Sequence, residues 1–166
     1  VTGIYIELSR NMPLVVQFFF LYFGLPRAGI VLQSEICAAA GLIFLGGSYM
    51  AETFRSGLET VGKSQTESGL SLGFRRTQIF FYILLPQAAA AAVSGIGANV
   101  IFLLKETSVF SIVALADLMY VAKDLIGLYY KTDEALFLLA VCYLMILLPV
   151  SILFTLLERR LRYAGY

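Results

Sequence analysis

The sequence predicts an all-α membrane protein, a polytopic helical bundle, and its composition and charge distribution are the reasons. Apolar residues make up 60% of the 166 residues and charged residues only 14%, whereas an average soluble domain carries about 25% charged residues. The mean hydropathy is +0.85. Twelve basic and eleven acidic residues cannot cover the surface of a soluble domain of this length, so lipid is the expected solvent.

Four runs with few or no charges are the predicted spans, because about 20 mostly apolar residues cross a hydrocarbon core of roughly 30 Å. They cover residues 12–30, 31–53, 84–106 and 135–157, within a single transmembrane domain. The first is short and contains Pro13 and Pro26. The third is rich in small residues from Ala88 to Ala98, which predicts close packing against neighbouring helices.

The basic residues predict the orientation, since Lys and Arg concentrate on the cytoplasmic side of membrane proteins. Three lie on the predicted outer side, namely Arg27, Lys123 and Lys131, and eight lie on the other: Arg10, Arg55, Lys63, Arg75, Arg76, Arg159, Arg160 and Arg162. The loop 54–83 and the C-terminus are therefore predicted to be cytoplasmic. The segment 114–134 lies outside, where Leu118, Val121, Leu125 and Leu128 predict an amphipathic helix.

Several classes of function are disfavoured by composition. The net charge of +1 lacks the basic excess of a nucleic-acid-binding protein, so no nucleic acid is expected. The chain has no histidine, the commonest general base and metal ligand, and no metal site is predicted. Cys37 and Cys142 lie in apolar runs and are expected to be small buried hydrophobes.

Residues Gly57 to Ser64 match the phosphate-loop pattern G-x-x-x-x-G-K-S. That pattern binds phosphate only when a buried strand precedes it and a helix follows. Here the preceding residues belong to a predicted membrane helix, so we interpret the match as coincidental and expect no nucleotide or other cofactor on this chain.

The same loop is predicted to contain a short helix from about Gln65 to Leu72. Ser64 and Glu67 have the spacing of a capping box, and Gly73 would supply the left-handed residue that ends the helix. Positions Thr66, Gly69, Leu70 and Gly73 share one face. This face of small residues with one leucine is suited to docking in a partner's groove.

These residues resemble a known family motif. The stretches 67–73 and 83–88 are similar to the "EAA" motif of the membrane permeases of ABC importers, in which E-A-A precedes a glycine and, further on, L-P. The stretches 5–10, 13–17, 22–26, 49–55 and 103–108 narrow the resemblance to polar amino acid uptake permeases. Ser68 and Gly69 replace the two alanines of the motif, and Asn11-Met12 replaces the usual Gly-Thr before Pro13.

The resemblance implies a type I ABC importer permease core in the bacterial cytoplasmic (inner) membrane. Family members usually have five spans, so four are expected here, with a first span missing upstream of Val1. The implied partners are an ABC ATPase subunit carrying ATP and Mg, a second permease copy or a sister permease, and an extracytoplasmic amino acid-binding protein. The chain itself is then a transport subunit and not an enzyme. The residues implied to couple it to the ATPase are Glu67, Gly69, Leu70, Gly73 and Pro86.

Polar residues within the spans are predicted to line a substrate path, because ionisable groups there are costly and commonly functional. They are Lys105, Glu106, Thr107, Ser108, Asn99 and Glu52. Glu106 would bind the ammonium group of the substrate. Two alternatives stay open at this point: Lys105 would extend to the outer interface, and Asn99 would make only an interhelical hydrogen bond.

Two further functions remain as alternatives. A permease of the same class for another small polar solute fits the same residues. A transporter driven by an ion gradient fits less well, because the sequence shows no internal repeat and would leave the docking helix without a purpose. The sequence does not identify the amino acid, nor does it decide between two identical permeases and a pair of different ones.

Overall fold

The computed structural model describes residues 2–113 and 115–163, and this part of the chain contains helices and turns but no strand. Ala114, the first residue of the predicted outer segment, lies outside the described residues. The seven helices are α1 Thr2–Arg10, α2 Leu14–Ala28, α3 Ser34–Thr60, α4 Lys63–Ser71, α5 Arg76–Val113, α6 Leu118–Tyr129 and α7 Thr132–Tyr163. An all-α bundle is therefore confirmed.

Three helices, α3, α5 and α7, are long and apolar enough to cross a membrane. The first predicted span, residues 12–30, corresponds to α2, which is a shorter apolar helix. Its 15 residues extend roughly 22 Å at 1.5 Å per residue, less than a hydrocarbon core of about 30 Å. Pro13 precedes α2, and Gly29 ends it in the left-handed conformation with φ +82°.

The helices around the predicted loop 54–83 are longer than expected. Helix α3 continues to Thr60, where Arg55 pairs with Glu52 and Glu59 one turn away on either side and supports the last turns. Helix α5 begins at Arg76 and extends as a 3₁₀ turn over Thr107–Val113. Helix α3 therefore extends beyond residue 53, α5 begins before residue 84, and residues 61–75 connect them.

Both α2 and α5 contain one widened π-helical turn, Phe20–Gly24 and Phe80–Leu84. Each ends two residues before a proline, Pro26 or Pro86. A proline has no N–H to donate and its ring collides with the carbonyl of the preceding turn, so the helix widens there. In α5 the Gln87 side chain donates to the Ile83 carbonyl at 3.0 Å, which satisfies one exposed acceptor.

Helices α3 and α5 run antiparallel and approach closely through small residues. A side chain at Gly57 would lie 2.7 Å from the Ala88 carbonyl oxygen, and one at Gly95 would lie 2.7 Å from the Thr53 methyl carbon. Gly97, further along α5, is in similar proximity to the Phe154 ring of α7. The predicted close packing of the third span is therefore observed, and it places α5 between α3 and α7.

A cluster of buried apolar residues joins α2 to α3 and to the end of α5. Its members are Leu14, Phe18, Cys37, Ala38, Leu45 and Phe110. The Phe18 and Phe110 rings lie 5.0 Å apart. Cys37 is fully buried and Cys142 half-buried, and both are free thiols. The sequence prediction of small buried hydrophobes holds for Cys37.

The outer segment forms α6, which packs against α7. Asp117 caps α6 by accepting a hydrogen bond from the Tyr120 amide at 2.7 Å. The predicted apolar face is wrong in part, because Val121 and Leu128 are exposed, whereas Ala122 is buried. The small Ala122 lets α6 approach α7, and this rotates the helix away from the face that counting apolar residues indicates.

Candidate functional site

Helix α4 lies in the connection between α3 and α5, at the end of the bundle that also holds the end of α7. A cleft of about 360 Å³ there is lined by Gly62, Gln65, Gln87 and Glu158, among others. Gly62 is the N-cap of α4 and no side chain caps the helix, so the predicted Ser64–Glu67 capping box is wrong. The extended backbone at Val61 and Gly62 starts the helix two residues before the predicted position.

The C-terminal end of α4 is as the sequence predicts. Gly73 has φ +81°, the left-handed conformation that glycine adopts without a steric penalty. Its amide donates to the Leu70 carbonyl at 3.0 Å, and the Phe74 amide donates to the Gly69 carbonyl at 3.1 Å. These two bonds form a Schellman motif, which satisfies carbonyls that the end of a helix otherwise leaves free.

The faces of α4 differ from the predicted docking face. Gly69 is buried, and a side chain there would lie 2.8 Å from Ile79 of α5. Gly69 therefore contacts this chain's own helix and does not face a partner. Three apolar side chains are exposed instead: Leu70 (46%), Leu72 (77%) and Phe74 (41%). We call these three residues the α4 apolar surface.

The other predicted coupling residues are separated. Glu67 is exposed on α4, and Pro86 is half-buried near the start of the regular part of α5. Residues 57–60 of the phosphate-loop match are helical, with Gly57 packed against Ala88. A phosphate loop needs a strand and an open loop at this place, so the geometry agrees with a coincidental match.

A second polar region lies beside the middle of α3. Tyr5 and Ser9 of α1 both donate to the Phe44 carbonyl, at 2.7 and 3.0 Å, and fix α1 against α3. Arg10, the last residue of α1, lies 3.7 Å from Glu52 and its guanidinium stacks 5.2 Å from the centre of the Tyr49 ring. Arg10 thus packs against α3 and is not a loop residue, so seven of the eight basic residues predicted to be cytoplasmic remain, against three predicted to lie outside.

Asn99 of α5 bridges to α3. Its side-chain amide donates to the Thr53 hydroxyl at 2.7 Å and to the Tyr49 carbonyl at 3.3 Å. The interhelical hydrogen bond left open by the sequence is therefore present. Because Tyr49 and Thr53 flank Glu52, this bond also locks the part of α3 that carries the carboxylate.

Arg10 and Glu106 line the same cleft, which has a volume of about 300 Å³. Tyr49 and Phe102 contribute aromatic walls, with their ring centres 5.1 Å apart, and Pro13 and Leu14 close the side formed by α2. We call this the α1–α5 cleft. It brings a cation and a carboxylate to one apolar recess within the spans.

The predicted path residues 105–108 do not line one common cleft. Glu106 lines the α1–α5 cleft, whereas Thr107 lines a separate cleft with Asp117 and Tyr143. Ser108 lies beside Tyr143, and Lys105 is exposed. Successive residues of a helix point in different directions, and the 3₁₀ turn that begins at Thr107 separates them further.

Three residues of this region were not predicted as site residues from the sequence: Arg10, Tyr49 and Thr53. Arg10 and Tyr49 lie in stretches that carried the family resemblance, so they were visible as motif positions. Their meeting depends on how α1 packs against α3, which the residues alone do not specify.

Comparison with known proteins agrees with this architecture. Residues 1–163 match the model of the family described as "Binding-protein-dependent transport system inner membrane component". The "Probable glutamine ABC transporter permease protein GlnM" of Bacillus subtilis (strain 168) is 34% identical over 157 residues, covering 95% of this chain and 73% of that protein. The "Glutamine transport system permease protein GlnP" of Escherichia coli (strain K12) is 33% identical, covering 96% and 74%.

A solved structure is also similar. A chain in the crystal structure of an amino acid ABC transporter with histidines superposes with a TM-score of 0.89 and 31% sequence identity, covering 95% of this chain and 74% of that one. The family match over nearly the whole chain, the relatives and this superposition agree with one another. The chain belongs to the family of inner-membrane components of binding-protein-dependent transport systems, the permease subunits of ABC importers.

Proposed function

We propose that this permease moves a polar amino acid across the cytoplasmic membrane and that α4 couples the movement to a separate ATPase. Relatives that match nearly the whole of this chain are named for glutamine transport, and the similar crystal structure is of an amino acid transporter. Because the similarity to these relatives extends along 95% or more of this chain, we expect it to transport a similar substrate.

The observation that carries the coupling role is the α4 apolar surface. Leu70, Leu72 and Phe74 lie outside the three spanning helices and yet are exposed. Apolar residues that stay exposed outside the spanning helices favour contact with another protein. The ATPase subunit is the proposed occupant, and ATP and Mg are bound there and not on this chain.

The internal packing of α4 supports transmission of force. Gly69 lies against Ile79 and Ile83 of α5, and the Schellman motif at Gly73 fixes the direction in which the chain enters α5. A displacement of α4 by the ATPase would therefore move the base of α5. Pro86 and the preceding π turn are the place where α5 would bend, since that turn has irregular hydrogen bonding.

The proposed orientation places α4 and the C-terminus in the cytoplasm. Arg55, Lys63, Arg75 and Arg76 surround α4, and the basic residues 159, 160 and 162 follow the apolar part of α7. This asymmetry, seven residues against three, follows the positive-inside rule. The other side would receive an extracytoplasmic binding protein, and a second permease copy or a sister permease would complete the path.

Glu106 is the proposed ligand for the ammonium group of the amino acid. It is half-buried in the α1–α5 cleft, where the apolar walls lower the local dielectric and strengthen its interaction with a cation. Asn99 and Glu52 would shape the neighbouring wall. Lys105, Thr107 and Ser108 would act at the outer approach, away from the cleft itself.

Reconstitution tests this function. The permease is placed in proteoliposomes with its ATPase subunit, and labelled L-glutamine is offered with the binding protein. We expect uptake that requires ATP on the side of the liposome membrane where the ATPase lies. This uptake should persist without an ion gradient. Uptake driven by a sodium or proton gradient with no ATPase present would contradict the proposal. If ATP drives uptake of another polar solute and of no amino acid, the proposed coupling to the ATPase stands and the proposed substrate is wrong.

A further inference from the structure

We infer that Arg10 binds the α-carboxylate of the transported amino acid, so that the α1–α5 cleft recognises both charged groups of the zwitterion. This inference rests on the proposed function and adds a second ligand to it. Arg10 and Glu106 line one recess, with opposite charges. A free amino acid carries an ammonium group and a carboxylate on the same carbon, so its two charges suit a recess with a carboxylate and a cation.

The neighbours of Arg10 leave hydrogen-bonding groups of its guanidinium available. Its contacts among the described residues are the ion pair with Glu52 at 3.7 Å and the stacking on Tyr49. The ion-pair distance exceeds that of a hydrogen bond, about 2.7–2.9 Å for a charge-assisted pair. The N–H groups of Arg10 therefore have no hydrogen-bonded acceptor in this part of the chain, and its side chain is 40% exposed, so a ligand can reach them.

The geometry of an arginine fits a carboxylate. A planar guanidinium donates two parallel hydrogen bonds to the two oxygens of a carboxylate. Tyr49 supports one face of the guanidinium and limits its rotation, so the donors are oriented before the ligand arrives. Glu52 balances the charge of Arg10 while the cleft is empty, which lowers the cost of keeping a cation within the span.

The recess has the size and lining of a small-ligand site. Its volume of about 300 Å³ lies at the lower limit of such pockets, roughly 300–1,000 Å³. Phe102, Leu45 and Val109 give it apolar walls that strengthen the two charge contacts. The side chain of the amino acid would be less constrained than its α-carbon groups.

Binding to the permease alone tests the role of Arg10 without the selectivity of the binding protein. The permease–ATPase complex in nanodiscs is titrated by calorimetry with L-glutamine and with its α-carboxamide, which keeps the ammonium group. If another polar L-amino acid binds more tightly, that amino acid and its own α-carboxamide are used. We expect the wild type to prefer the free carboxylate at least tenfold. Equal affinity for the two ligands would overturn the inference.

The variants separate ligand binding from structure. Arg10→Gln is expected to weaken L-glutamine binding tenfold or more while leaving the affinity for the α-carboxamide unchanged. Arg10→Lys keeps the charge but loses the paired donors, so a three- to tenfold loss for L-glutamine alone is expected, and this variant serves if Arg10→Gln does not fold. Lys123→Gln removes one cation from the exposed face of α6 and should change neither affinity.

The outcomes distinguish a failure of the role of Arg10 from a failure of the proposed function. Should Arg10→Gln or Arg10→Lys retain the full preference for the carboxylate, Arg10 is not its ligand, while the proposed function stands. A loss of affinity equal for L-glutamine and for its α-carboxamide would mean that Arg10 only supports the fold. A wild-type complex that binds no polar amino acid at all would contradict the proposed function and this inference together.

Discussion

The α1–α5 cleft and the α4 apolar surface each hold residues of the type that their surroundings disfavour, and the two types are opposite. Arg10 and Glu106 line the cleft and Glu52 pairs with Arg10 beside it, so charges lie next to spanning helices, where lipid is the expected surroundings. On α4, Leu70 and Leu72 place leucines outside the spans, where water is expected. Each arrangement costs free energy in the isolated chain, so each indicates a further group that compensates for it.

The two regions also differ in how they are held. The cleft is fixed by hydrogen bonds between helices, as in the contact of Asn99 with Thr53, and by the ion pair of Arg10 with Glu52. Helix α4 is fixed by steric fit, because Gly69 rests against Ile79 and the backbone at Gly73 closes the helix. A binding cleft needs directed polar groups, whereas a coupling element needs a rigid contact that transmits displacement. This difference yields three predictions, arranged from the largest effect to the smallest.

The largest effect is expected from Leu70→Asp, which places a charge in the α4 apolar surface. Burying an unpaired carboxylate against the ATPase costs several kcal/mol, so association should weaken about a hundredfold or more. The measurement is the amount of ATPase that co-purifies with the permease in mild detergent, together with uptake in proteoliposomes. Ser71→Asp adds the same charge at the neighbouring exposed position and should retain most of the association. Unaltered co-purification of the Leu70 variant would place the docking surface elsewhere.

A smaller effect is expected from Glu106→Gln, which removes the charge of the cleft but not its shape. Loss of one charge-assisted contact, roughly 1.5–3 kcal/mol, corresponds to an affinity for the amino acid about 10- to 100-fold lower. Direct binding to the permease–ATPase complex measures this change. Asp124→Asn on the exposed face of α6 is the matched control and should bind normally. If the Glu106 variant binds and transports like the wild type, the carboxylate lies outside the path.

Much of this arrangement was predictable where local chemistry decides it. The left-handed Gly73, the close packing of the third span and the interhelical bond of Asn99 all follow from what a residue can do within one or two helices. The family resemblance supplied the rest of the architecture. Local rules failed at Ser64, because the extended backbone at Gly62 started α4 earlier than the capping pattern indicated.

The faces of helices were less predictable than the helices themselves. Gly69 shares a face with Leu70 by spacing, but α4 folds back onto α5, so the glycine is enclosed and the leucine is not. Arg10 counted as a loop charge until the hydrogen bonds of Tyr5 and Ser9 placed α1 along α3. Both errors concern which neighbour covers a residue, and this depends on long-range packing that a single sequence does not encode in any short pattern.

The smallest of the three effects concerns the steric contact of α4 with α5 and is tested by Gly69→Val. The added Cβ atom would lie 2.8 Å from Ile79 and 3.4 Å from Ile83, so α4 or these side chains must shift and the contact with α5 is disturbed. Overpacking of this kind costs about 1–3 kcal/mol. Because the α4 apolar surface remains intact, we expect the ATPase to bind but the amino acid taken up per ATP hydrolysed to fall severalfold. Ile79→Ala in the same chain makes room for the valine and should restore most of that ratio, while Ile79→Ala alone leaves a gap and should not raise it. A Gly69→Val permease with the wild-type ratio would show that α4 transmits movement without the contact to Ile79, and the continuous backbone through Gly73 would then be the path of coupling.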